Sequence, residues 1–127
     1  MFGIDARVGA VPGEYCPDVH SVNARGVAKL VGTAQRVLPK AWLFSTLVTG
    51  GDDIRLQHVL EEVYGYLGLA FDRASVGSIR AESPHAELGE VELALLEVFG
   101  IETVAVSQVD SVTLGVAASL LPHHCCP

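Results

Sequence analysis

The chain has 127 residues, half of them hydrophobic and 18% charged, with a mean hydropathy of +0.39, a balance that excludes a disordered chain. Its length sets one domain with one modest core. Eight Lys and Arg against fifteen Asp and Glu leave a formal net charge of −7 with no basic stripe, so a nucleic-acid partner is not expected. No apolar run approaches the ~20 residues of a membrane helix. The start MFGIDARVGA has neither a basic n-region nor an apolar h-region, so the expectation is no membrane partner and a cytoplasmic protein. The three cysteines, Cys16, Cys125 and Cys126, form no disulfide framework.

In chain order, IDARVGAV alternates around a glycine and reads as extended chain. Pro12, Gly13 and Pro17 then end any regular element and put Tyr15 to Asp18 on a loop. The next stretch, HSVNARGVAKLVGTAQRVLPKAWLFSTLVTG, is rich in Val, Thr and Leu. It reads as a hairpin turning at NARG, with a further strand after Pro39. After TGGDD, where Asp52 or Asp53 is the expected cap, Leu56, Val59, Leu60, Val63 and Leu67 fall at helical spacing, and Gly68 suits the helix end.

FDRASVGSIRAES has no period and reads as a connecting loop. Ser83 and Pro84 read as N-cap and first residue of a second helix whose face is Leu88, Val91, Leu95 and Phe99, ending at Gly100. SQVDSVTLGVAASLL opens with cap residues and becomes Ala and Leu rich. It reads as a third helix, although its Val and Thr content also suits a strand before Pro122. Strands followed by helices predict an α+β fold: an antiparallel or mixed sheet with two to three helices packed on it, in one domain over 1–122 with a tail at 123–127. A sheet of only three or four strands either has exposed edges or has lost neighbouring strands.

Lys29 and Cys16 are the residues with chemistry to offer. Strict alternation puts Lys29, Val31, Thr33 and Gln35 on one face and Ala28, Leu30, Gly32, Ala34 and Arg36 on the other. That is either a solvated polar stripe or a cation beside small residues, Gly32 and Ala34, that let a ligand approach. Cys16, in a turn-rich loop, is either a small buried hydrophobe or a nucleophile whose thiolate a nearby cation stabilises. The terminal PHHCCP has zinc-ligand residue types, but adjacent residues seldom converge on one ion, so no metal site is expected. His20, His58 and His85 form no cluster by position, and the aspartates of GGDD repel a phosphate, so that segment reads as a cap.

Taken together, PGEYCPDVHSVNARGVAKLVGTAQRV followed by WLFSTLVTG and a helix resembles the lipoate-protein ligase A and octanoyl transferase family of the biotin/lipoate attachment superfamily. The family's K-[VIL]-[AVS]-G-[ST]-A motif is matched by Lys29, Leu30, Val31, Gly32, Thr33 and Ala34. Cys16 in YCPD is similar to the loop cysteine of the transferase branch.

The resemblance implies part of the biotin/lipoate ligase catalytic fold with an acyl-binding tunnel. Cys16 is then the nucleophile that takes an octanoyl or lipoyl group from its donor as a thioester and passes it to a lysine of a lipoyl carrier domain. Lys29 is a catalytic cation or general acid/base, and Gly32, Thr33 and Ala34 bind substrate. The alternatives are an ATP-dependent ligase acting through an acyl adenylate, with ATP and Mg as co-substrates and no tightly bound cofactor in either case, or an inactive binding fragment. The family's R-R-x-[ST]-G-G motif is absent, so the resemblance implies the C-terminal portion of such an enzyme, with apolar surface that favours a homo-oligomer or another chain.

Overall fold

β-Branched and aromatic residues build four strands: β1 (Ala6–Val8), β2 (Val22–Ala24), β3 (Ala28–Leu38) and β4 (Ala41–Val48). They form one antiparallel sheet in the order β1-β2-β3-β4, so each strand pairs with its neighbour in sequence. This computed structural model describes residues 2–100 and 108–123, apart from the side chain of Phe99. Of the residues singled out above, that side chain and the whole of Ser107, His124, Cys125 and Cys126 lie outside the described residues. The chain divides into two units, Met1–Val91 and Glu92–Pro127.

In the first unit the NARG turn forms as expected. Arg25 and Gly26 take left-handed backbone (φ 56° and 75°), and the Gly26 N–H donates to Asn23 Oδ1 at 2.7 Å. The register then departs from strict alternation, because Val22 pairs with Val31 while Asn23 pairs with Lys29, leaving Leu30 as an extra residue on β3. This bulge re-aims the strand. Lys29 and Leu30 are both buried, 1% and 2% exposed, so Lys29 does not lie on a solvated stripe with Thr33 and Gln35.

The segment read as a connecting loop is also different: Ser75 to Ile79 is the longest uninterrupted buried stretch of the unit. A 3₁₀ turn (Arg73–Ser75) leads into it and helix α2 (Ile79–Glu82) leaves it. Its backbone is hydrogen-bonded along its length, with the N–H of Gly77 on the Lys29 carbonyl (3.0 Å) and that of Ile79 on Thr49 (2.8 Å). The Val76 carbonyl accepts from Gln57 Nε2 (3.1 Å). Because tertiary partners satisfy these groups, the segment has no period to read. Gly77 is required there, since a Cβ would stand 2.8 Å from Ala28 Cβ. The core consists of Ala24, Leu30, Ile79 and Ala86, with Ile4, Val48 and Val91 among the side chains packed against it.

Helix α1 (Asp53–Leu67) forms over the predicted span and ends at Gly68 in left-handed backbone (φ 65°). Its start is not capped as expected. Asp52 is itself left-handed and makes no side-chain cap bond, while Asp53 accepts the Ser78 hydroxyl at 2.8 Å and so ties the helix to the buried segment. Ser83 is likewise not an N-cap. Its N–H closes α2 on the Ile79 carbonyl (2.8 Å), Ala86 turns into the core, and helix α3 (Leu88–Phe99) starts only afterwards.

Of the apolar stripe on α1, Leu56 and Leu60 are half-buried and Val59, Val63 and Leu67 are exposed. On β4, Trp42, Leu43 and Leu47 are exposed.

In the second unit, α4 (Ser111–Leu120) resolves the helix-or-strand choice as helix. Asp110 caps it by accepting the Thr113 N–H (2.9 Å) and hydroxyl (2.8 Å), and a 3₁₀ turn (Leu121–His123) follows. The Thr113 N–H is the main cause holding the Asp110 carboxyl below the usual carboxylate range. Among the described residues the sheet and four helices make an α+β arrangement. Among the described residues no helix is long and apolar enough to cross a membrane.

Candidate functional site

Pro12 and Gly13 begin the site. Proline at the second position and glycine at positive φ (73°) at the third suit a tight turn, closed by the Glu14 N–H on the Val11 carbonyl at 3.2 Å. No other residue fits Gly13, because a Cβ would stand 2.6 Å from Asp72 Cβ. The turn folds Glu14 inward, and its fully buried carboxylate accepts the N–H groups of Val11 and Asp18 and the Ser21 hydroxyl, each at 3.0 Å. One buried carboxylate thereby shapes the loop from Val11 to Ser21.

Its counter-charge is Lys29, brought inside by the bulge of β3. The Lys29 ammonium lies 3.5 Å from Glu14 Oε1 and donates to the carbonyls of Tyr15 (3.0 Å) and Cys16 (2.8 Å). It also sits over the Tyr15 ring, 4.7 Å from the centroid. An ammonium has three protons, and three acceptors surround this one. Burying such a pair is tolerated only with satisfied hydrogen bonds, which these acceptors provide. Burial is the main cause raising the Tyr15 phenol above its ordinary pKa, partly opposed by the Thr49 hydroxyl, which stops short of a formed hydrogen bond.

Cys16 is exposed, and its backbone is left-handed (φ 42°), a conformation that costs a non-glycine residue about 1–3 kcal/mol unless its surroundings hold it. They hold it from both sides. Its N–H donates to Tyr64 Oη at 2.7 Å from α1, and its carbonyl accepts from Lys29 of β3. Tyr64 Oη also lies 4.0 Å from Cys16 Sγ. The sulfur therefore stands free of the core beside a phenol hydroxyl.

All five residues expected from the sequence, Cys16, Lys29, Gly32, Thr33 and Ala34, line one cavity of about 190 Å³, closed elsewhere by Tyr15, Ser45 and Leu47. Gly32 makes room for the lysine itself: a Cβ there would stand 3.3 Å from Lys29 Cε. Thr33 donates its hydroxyl to Asp18 Oδ2 at 3.2 Å.

No family model matches the chain, and no curated protein does.

Sequence reasoning missed Glu14, Asp18, His20 and Tyr64. Glu14 had one available signal, since a lysine destined for the interior needs a counter-charge close by. Tyr64 had none, being 48 residues from Cys16. His20, which showed no cluster by position, joins Asp18 and Thr33. Asp18 Oδ1 accepts both the His20 N–H (3.1 Å) and ring Nδ1 (3.2 Å), and the His20 N–H is the main cause holding the Asp18 carboxyl below its usual range. His58 instead meets Arg73, at 3.3 Å. Among the described residues no group of three or more His, Cys, Asp or Glu is arranged to hold a metal ion.

The arrangement suits a covalent step. It offers an accessible thiol on a loop pinned by a buried cation, beside a cavity with a hydroxyl-bearing wall.

Proposed function

We propose that the chain is an acyltransferase of the lipoate type. Cys16 accepts an octanoyl or lipoyl group as a thioester and hands it to a lysine of a lipoyl carrier domain. The observation that carries this reading is the double restraint on Cys16: a left-handed residue with both backbone groups bonded by distant side chains, leaving its thiol exposed at the cavity. The YCPD loop and the Lys-Leu-Val-Gly-Thr-Ala run support it through their resemblance to the transferase branch.

In the first step Cys16 sulfur forms a bond to the acyl carbon of a thioester donor while the donor's C–S bond breaks and its thiol leaves. One thioester replaces another, so no nucleotide is needed. Lys29 serves as a positioning residue, holding the carbonyls of Tyr15 and Cys16 and neutralising Glu14. This favours the transferase over the adenylate-forming ligase, because the protons of its ammonium already have acceptors and none is left for a phosphate.

Incubation with octanoyl-loaded carrier protein is expected to give a mass increase of one octanoyl group on the intact protein, absent in Cys16→Ala. If the wild type gains no adduct, the transferase reading fails. Consumption of ATP coupled to carrier lipoylation would then favour the ligase, and neither activity would leave an inactive binding fragment.

A further inference from the structure

A second cavity, of about 400 Å³, adjoins the first and shares Thr33 and Ala34 with it. Asp18, His20, Gln35 and Phe44 complete its lining. The thioester step leaves this side unused, yet it holds an imidazole fixed by a carboxylate: Nδ1 of His20 lies 3.2 Å from Asp18 Oδ1, and the other Asp18 oxygen accepts the Thr33 hydroxyl on the shared wall. With Nδ1–H directed to the carboxylate, Nε2 carries the lone pair. The His20 side chain is 77% exposed, so a protein-borne amine can reach it.

We propose that His20, oriented by Asp18, is the base that takes a proton from the acceptor ammonium so that the amine can attack the acyl group on Cys16. This rests on the acyl-transfer reading of Cys16. An alkyl amine has an ordinary pKa of about 10.4, so its attack on a thioester at neutral pH needs a group to collect protons. Lys29 does not serve, since its ammonium is committed to Glu14 and two carbonyls. Tyr64 is occupied by the Cys16 N–H.

His20 Nε2 takes one proton from the alkylammonium. The neutral amine then forms a C–N bond to the acyl carbon as the C–S bond breaks with its electron pair going to Cys16; the nitrogen's second proton passes to the thiolate, and His20 releases its proton to solvent. The products are the amide, the free thiol and a neutral imidazole.

The test separates loading from discharge. Wild type, His20→Gln and Asp18→Asn are loaded from octanoyl-carrier protein, and discharge to n-butylamine or to hydroxylamine, which is already neutral at pH 7, is followed by intact mass. His20→Gln is expected to load normally, to discharge to butylamine about 100-fold more slowly, and to discharge to hydroxylamine at close to the wild-type rate. Asp18→Asn is expected to fall between the two on butylamine.

Discharge of His20→Gln to butylamine at the wild-type rate would overturn the proposal and leave Cys16 as nucleophile. Equal losses with both amines would overturn it too, as the mark of a structural role. Failure of the wild type to load would remove both readings.

Discussion

The two ends of β3 belong to one strand and have opposite fates. Ala28 to Leu30 is buried beneath Ser75 to Ile79, whereas Ala34 to Leu38, paired along its full length with β4, is exposed, with Val37 at 72%. Each end is paired with one neighbouring strand, β2 or β4, so having a strand partner does not explain burial. What differs is a second segment crossing the first end and a bulge that turns Lys29 and Leu30 inward together. The cation that organises the candidate site is therefore created by long-range packing and not by the strand that carries it.

Breaking the buried end should be the most costly change. Lys29→Met leaves the Glu14 carboxylate buried and unpaired and is expected to lower stability by about 3–5 kcal/mol, read from the urea midpoint. Adding Glu14→Gln should recover part of that loss, and no recovery would mean the two charges are not coupled. Gly77→Ala, which sets a Cβ against Ala28 at 2.8 Å, is expected to cost about 1–3 kcal/mol in the same measurement.

Tyr64→Phe removes the acceptor of the Cys16 N–H. A stability loss of about 0.5–1.5 kcal/mol is expected, with a changed rate of Cys16 alkylation by iodoacetamide. An unchanged rate would show that Tyr64 does not restrain the thiol.

Tyr15 gives a pH dependence. Its folded pKa is raised by burial, so the stability it contributes is fully present below about pH 10 and lost as pH rises through the raised value. Tyr15→Phe should flatten the alkaline limb of a stability–pH profile. At the exposed end, Val37→Thr should change stability by no more than about 0.5 kcal/mol. A larger loss would mean that this end is covered in solution.

The candidate site was legible in part. Cys16, Lys29 and the Gly-Thr-Ala run were found from residue types and from the motif they resemble, and they line one cavity. The fold class was also legible, since hairpin punctuation and the helical spacing of Leu56 to Leu67 are local signals. Other readings failed for separate reasons. The stripe alternative for Lys29 overlooked the bulge, the Ser83 cap overlooked the short helix that Ser83 closes, and the connecting loop over Phe71 to Ser83 assumed that backbone groups find their partners nearby. Here Gly77 and Ile79 find them on Lys29 and Thr49. A periodicity argument cannot detect a bond to a residue tens of positions away.

By itself, then, the sequence determined the hairpin at NARG with a further strand after Pro39, the span of α1 and the chemical types present at the site, because turns, strand propensity and helix periodicity arise from neighbours along the chain. Only the tertiary structure decided that Lys29 is buried, that it spends its charge on Glu14 and the carbonyls of the Cys16 loop, and that His20 joins Asp18 beside the same wall. Those outcomes depend on which segments cross in space, and on the cost of leaving any buried charge or backbone group without a partner.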